Sequence, residues 1–119
     1  MIYYYEGAME FNVIKNKNIT IQPVERYTRY TKVDLIKHEV VTFVLDDETG
    51  DITFGARGPI VRINDYPAVG GLEPDVHLEA HHLDSVTYQG KEGVQSFKVQ
   101  LSKYKPCSME TFLRAMKVI

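Results

Sequence analysis

Apolar side chains recur at every second position along most of this chain, the beat expected of strands that bury one face. "EFNVIK" (10–15) and "NITIQP" (18–23) flank "NKN", whose asparagines tolerate turn conformations, so the pair reads as an early hairpin. "EVVTFVL" (39–45) is apolar on both sides, with Val41, Phe43 and Leu45 on one face and Val40 and Val44 on the other. A strand of that kind belongs inside its sheet rather than at an edge. "DDETGD" (46–51) turns the chain, and "ITFGAR" (52–57) returns with Ile52, Phe54 and Ala56 on one face. "PIVRINDY" (59–66) reads as a further strand, and "PAVGGLEP" (67–74) as the strongest break in the chain. "SVTYQ" and "VQSFKVQLSKY", joined by "GKEG", read as a hairpin. In its second arm Phe97, Val99 and Leu101 face one way and Lys98, Gln100 and Ser102 the other. "RYTKVDLIKH" (29–38) fits a helical turn or a strand; its strand neighbours and its Thr, Val and Tyr content favour strand.

The period changes only at the end. Pro106 stops the last strand, Ser108 is a good N-cap, and Met109, Phe112, Leu113 and Met116 recur at helical spacing. Glu110 and Arg114 are four apart on the outer side, and Lys117 lies near the negative end of the helix dipole. So short a helix is unstable alone and must pack on a host, the sheet or a partner subunit. The expected fold is therefore α+β: a single domain over 1–119, predominantly antiparallel β-sheet able to close into a barrel-like form, with a short C-terminal amphipathic helix packed on it.

Composition changes this picture little. The 119 residues suit one domain with a core of its own, and 44% hydrophobic with 25% charged residues is ordinary for a globular protein. The lone Cys107 forbids an internal disulfide, and no run approaches the roughly 20 apolar residues of a membrane span. The N-terminus lacks the pattern of a signal peptide, so a cytoplasmic protein without membrane contact is the plain reading. Charge is uneven: +1 over residues 1–44, −6 over 45–80 and +3 over 81–119. An acidic middle disfavours a nucleic-acid binder, whose affinity rests on neutralising phosphates. Eight tyrosines, including the run Tyr3 to Tyr5, suit interfaces, and a homodimer through the N-terminal strand or the C-terminal helix is expected.

The densest candidate chemistry is "DVHLEAHHLD" (75–84), with three histidines and three carboxylates. As a strand, Val76, Leu78 and Ala80 face inward and Asp75, His77, Glu79 and His81 line the other face. Neighbours in that row stand roughly 7 Å apart, so His77 with Glu79, or Glu79 with His81, can share a divalent cation. His77 and His81, about 13 Å apart, need help from another element. As a helix, His77 and His81 share a face with Asp84 one turn on, but H-x-E-x-H puts the glutamate out of place for the H-E-x-x-H peptidase motif. The strand accounts for Leu78 and is preferred. The plainer alternative is a solvated polar row of His–Glu pairs.

Other candidates are weaker. "RYTRYTK" (26–32) mixes Arg26, Arg29 and Lys32 with Tyr27 and Tyr30, groups that could contact phosphates and stack on bases. Alternation splits them between two faces, so ordinary cross-strand packing competes with a ligand role for Arg26, Arg29 and Tyr30. The acidic "DDETGD" lacks the EF-hand pattern and reads as a turn. "AVGG" is no phosphate loop, there is no G-x-S-x-G elbow, and Cys107, although just before a helix start, reads as a thiol at the core edge. The expected function is a non-enzymatic binding or protein-interaction domain, oligomeric, with a small-molecule or protein ligand near residues 67–84. The alternative is a metal-assisted enzyme using His77, Glu79 and His81. A nucleotide or nucleic-acid binder using Arg26–Tyr30 is third.

Overall fold

The computed structural model describes residues 2–15, 18–63, 66–67, 83–90 and 96–117; side chains are described for 2–9, 25–63, 83–90 and 96–117. Among the described residues eight strands and one α-helix follow in order: β1 (Ile2–Lys15), β2 (Asn18–Asp34), β3 (Glu39–Asp46), β4 (Ile52–Ile63), β5 (Tyr66–Pro67), β6 (Val86–Tyr88), β7 (Phe97–Val99), β8 (Lys105–Pro106) and α1 (Met109–Ala115). They form one antiparallel sheet in the order β7-β6-β4-β3-β2-β1-β8, with β5 added to β4. The sheet is curved into a half-barrel, and α1 packs on its outer side. The α+β class expected from the pattern is what the chain forms.

The early hairpin is β1–β2, running in register from Ile2↔Asp34 to Lys15↔Asn18 with one break. There Ala8 faces Thr28 while Met9 faces Val24, so residues 25–27 bulge out of β2. Past that bulge, residues 9–15 and 18–24 pair with each other beyond the reach of β3, whose register ends at Tyr27↔Asp46. β3 lies between β2 and β4, as its two apolar faces require. Cross-strand register stacks the rows Tyr3–Val33–Val40–Gly58, Tyr5–Thr31–Thr42–Ala56 and Gly7–Arg29–Val44–Phe54 on the concave face. The alternate rows, Tyr4–Lys32–Val41–Arg57 and Glu6–Tyr30–Phe43–Gly55, lie on the convex face.

Two sequence expectations are corrected. The segment 29–38 is strand only through Asp34; Leu35–His38 is a turn. The reason is local: the Asp34 carboxylate accepts hydrogen bonds from the backbone N–H of Ile36 (3.0 Å) and Lys37 (2.9 Å), and His38 takes a positive φ of 53°. Leu35 is still buried. Second, "ITFGAR" and "PIVRINDY" are one strand, not two, because β4 runs on through Gly58 and Pro59 while changing partner. Its first part pairs with β3 from Leu45↔Ile52 to Glu39↔Pro59, and residues 60–63 pair with β6. Pro59 has no N–H to give, but its carbonyl accepts from the Gln89 N–H at 3.0 Å, on the β6 side.

That exchange folds β6 and β7 over the concave face. Ile60, Ile63, Leu83, Val86, Tyr88, Val99 and Leu101 meet Tyr5, Val33, Leu35 and Val40 in one core. The buried Thr31 and Thr42 hydroxyls satisfy each other at 3.0 Å, and Thr42 donates onward to the Tyr30 carbonyl at 3.1 Å, so this polar pair is hydrogen-bonded inside an apolar core. On the convex face Phe112 of α1 is buried against Tyr4 and Phe43, with ring centroids 5.2 Å apart in each case, and Tyr30 stacks on Phe43. Ser108 caps the helix by accepting from the Thr111 N–H, and Glu110 pairs with Arg114 as the spacing implied. The apolar stripe is narrower than its periodicity suggested: Leu113 and Met116 are half-buried and Met109 is exposed, since a seven-residue helix seats one anchor, Phe112.

The crossing at Gly58 is tight. A Cβ there would stand 1.7 Å from the Gln89 carbonyl oxygen, a backbone atom that cannot rotate away. At Gly55, three residues earlier, a Cβ meets only the Phe43 Cβ, at 3.9 Å. Gly58→Ala is expected to lower stability by at least the roughly 1–3 kcal/mol of ordinary overpacking, while Gly55→Ala stays within about 0.5 kcal/mol of the native protein in urea unfolding. Equal midpoints for the two variants would show that β6 does not cross at that place.

Candidate functional site

The structure describes only part of the sequence-predicted set. His77, Glu79 and His81, with Asp75 and most of the 67–84 segment, lie outside the described residues. Among the described residues no group of three or more His, Cys, Asp or Glu side chains could hold a metal. Arg26, Arg29 and Tyr30 are described and point three ways.

Arg26 sits in the β2 bulge, where the chain is free to swing its side chain toward the β3–β4 turn. Its Nε reaches both Asp46 carboxylate oxygens at 3.1 Å and its Nη2 reaches Oδ2 at 2.8 Å. Glu48 approaches the same guanidinium at 3.4 Å. Asp46 also accepts from the backbone N–H of Glu48 (3.0 Å) and Thr49 (3.3 Å), and the Asp47 carboxylate accepts from the Thr28 hydroxyl. Gly50, with φ at 77°, closes this turn and donates to the Asp46 carbonyl. Two of the "DDETGD" acids are thus bound into the turn's own structure. The Arg26 hydrogen bonds, with help from the two turn N–H groups, hold the Asp46 carboxyl at a pKa of about 2.

Tyr30 lies on the convex face, half-buried against Phe43. Burial raises its pKa, with Glu6 adding to the effect. Arg29 lies on the opposite, concave face and is 7% exposed. Its guanidinium carbon stands 5.0 Å from the centroid of the Phe97 ring. Cys107 is half-buried, and burial, with Glu6 adding, pushes its thiol up to about 11. Its place before α1 does not activate it. The tyrosine run packs within the chain: Tyr5 in the core, Tyr4 on Phe112, and Tyr3 against the core edge.

The structure also brings together residues that the sequence reading did not single out. On the convex face, α1 covers Tyr4, Tyr30 and Phe43 but stops short of β4. A recess of about 430 Å³ remains between sheet and helix, lined by Val41, Phe43, Ile52, Gly55, Ala56, Arg57 and Met116. Its size falls in the range of small-molecule sites. Val41, Phe43, Ile52 and Met116 make it apolar, Gly55 leaves the floor without a side chain, and Arg57 is the charged group on its lining. The register that sets Gly55 beside Phe43 across β3–β4 opens its floor.

Because the folded Asp46 carboxyl holds its proton less tightly than the usual 3.8, its contribution to stability is complete above about pH 4 and fades as pH falls toward about 2. Asp46→Asn is therefore expected to melt below the native protein at pH 6, with the gap closing between about pH 4 and pH 2. A gap that persists unchanged at pH 2 would show that the carboxylate charge is not what Arg26 and the turn use.

Comparison with known protein families, curated proteins and solved structures finds no match for this chain.

Proposed function

We propose that this chain is a non-enzymatic binding domain whose convex recess takes an apolar small molecule bearing one acidic group. The recess itself carries the reading: an apolar pocket of about 430 Å³ on a sheet–helix junction, with one guanidinium, Arg57, among its described lining residues. The sheet rows that form its floor are pinned by β3–β4 pairing, so the site needs little ordering when a ligand enters. Apolar burial would supply affinity, and Arg57 would fix the orientation of the acid. Exposed Ile52 and Val61 support a partner surface on β4, the strand that leads toward residues 67–84, and a second copy of the chain is the partner proposed for it.

Anilinonaphthalene sulfonate, an aromatic ring system with one anionic group, is a suitable probe. The native protein is expected to bind it saturably with enhanced fluorescence. Gly55→Leu fills the floor without a backbone clash and abolishes the signal. Arg57→Ala weakens binding about tenfold, the worth of a charge-assisted hydrogen bond of about 1.5 kcal/mol. Unchanged affinity in both variants, each still unfolding cooperatively, would overturn the assignment of the recess.

A further inference from the structure

A second recess, of about 270 Å³, lies on the convex face toward the other edge of the sheet, where β8, β1 and the bulge of β2 meet. Among its lining residues are two acids, Glu6 and Glu25, two tyrosines, Tyr27 and Tyr30, and Lys105. The fold assembles this set from three places. Glu6 and Tyr30 are cross-strand partners on one convex row. The bulge, which sends Arg26 to Asp46, brings Glu25 and Tyr27 to the same recess. β8 pairs Lys105 with Glu6 across the sheet edge. The field there is negative in spite of that lysine. Burial is the larger cause of the raised pKa at Tyr30 and at Cys107, and Glu6 adds to it at both. At Cys107 the effect of Glu6 outweighs the opposing effect of Lys105.

The recess already places an ammonium group against Glu6. The Lys105 Nζ stands 3.7 Å from a Glu6 carboxylate oxygen, beyond hydrogen-bond distance, on a side chain 76% exposed, whereas that of Glu6 is 24% exposed. So loose a pair contributes little, and a free ammonium can take the place of Lys105 at hydrogen-bond length. The tyrosines supply aromatic wall. One side of Tyr27 meets the Arg26 guanidinium, 5.6 Å from the ring centroid, and Tyr30 stacks on Phe43, yet both residues still line the recess. Carboxylates beside aromatic rings are the chemistry that recognises organic cations. A bare metal ion would leave the rings unused, and among the described residues no group of three His, Cys, Asp or Glu is placed to hold one. We infer that this recess binds an organic primary ammonium ion. Its N–H groups donate to the Glu6 carboxylate in place of Lys105, the exposed Glu25 adds negative charge, and its apolar body lies against Tyr27 and Tyr30.

The test is calorimetric titration of the full chain with benzylamine, a cation at neutral pH, with tetramethylammonium, calcium and sodium chlorides as parallel arms at equal ionic strength. The native protein is expected to bind benzylamine saturably and more tightly than any of the three. Glu6→Gln is expected to weaken that binding about tenfold, and Tyr27→Leu about threefold. Lys105→Gln removes the competing ammonium and is expected to strengthen binding about threefold, the reverse of what a merely structural ion pair would give. Gly55→Leu is expected to leave benzylamine binding intact, and Glu6→Gln to leave anilinonaphthalene sulfonate binding intact, so the two recesses fail separately. Absence of saturable benzylamine binding, undiminished affinity in Glu6→Gln or Tyr27→Leu, or no gain in Lys105→Gln would overturn the inference. Binding of calcium or tetramethylammonium as tight as that of benzylamine would overturn the assignment to a primary ammonium. Should Glu6→Gln fail to fold, Lys105→Gln, at an exposed position, still decides the matter.

Discussion

The fold turns on one strand that serves two sets of partners. β4 pairs with β3 as far as Pro59 and with β6 from Ile60, and the missing proline N–H falls where the exchange occurs. Gly58 leaves room for the Gln89 backbone to cross at that point. A sheet whose central strands stayed with one set of neighbours would leave Val33, Val40 and Thr42 facing water. The exchange instead carries Val86, Tyr88 and Val99 over them and closes the core. α1 then has only the convex face left to cover, and Phe112 does so with a single ring.

Two unlike surfaces result. On the convex side a short helix meets a broader sheet, and the mismatch leaves an open apolar recess edged by Arg57. On the concave side the overlying β6–β7 pair covers Arg29, whose guanidinium lies over the Phe97 ring, and the Tyr88 hydroxyl, which is buried without a hydrogen-bond partner among the described residues. Elsewhere the same protein treats buried polar groups differently. Thr31 and Thr42 satisfy each other, Asp34 is spent on turn N–H groups, and Asp46 on Arg26. Against that background the Tyr88 hydroxyl, buried without a hydrogen-bond partner among the described residues, is the exception.

Much of the architecture was legible in the sequence because period-two alternation is a local signal. The β1–β2 hairpin, the two-faced β3, the acidic turn, the β6–β7 pair and the capped helix all follow from residues within a few positions of one another. What was not legible depends on distant encounters. Gly58–Pro59 looks like a break until β6 arrives to accept the strand's second half. Asp34 looks like one more strand residue until its carboxylate turns back onto Ile36 and Lys37. Arg29 was visible as a candidate through "RYTRYT", but grouped with Arg26 and Tyr30. The bulge and the pleat send those two elsewhere, and Arg29's real neighbour, Phe97, comes from β7. The convex recess needed the position of α1, which no spacing encodes. The histidine-rich segment 75–82, the most conspicuous feature of the sequence, lies outside the described residues.

The change of partners along β4 lays β7 over the concave face of β2. Nuclear Overhauser contacts between the Arg29 side chain and the Phe97 ring test it most directly, since those residues are far apart in the chain and meet only if the sheet doubles back. Strong contacts, with the Arg29 side-chain protons shifted upfield by the aromatic face, are the expected result. Arg29 protons at solvent-like shifts and without contact to Phe97 would contradict the closed half-barrel and everything placed inside it.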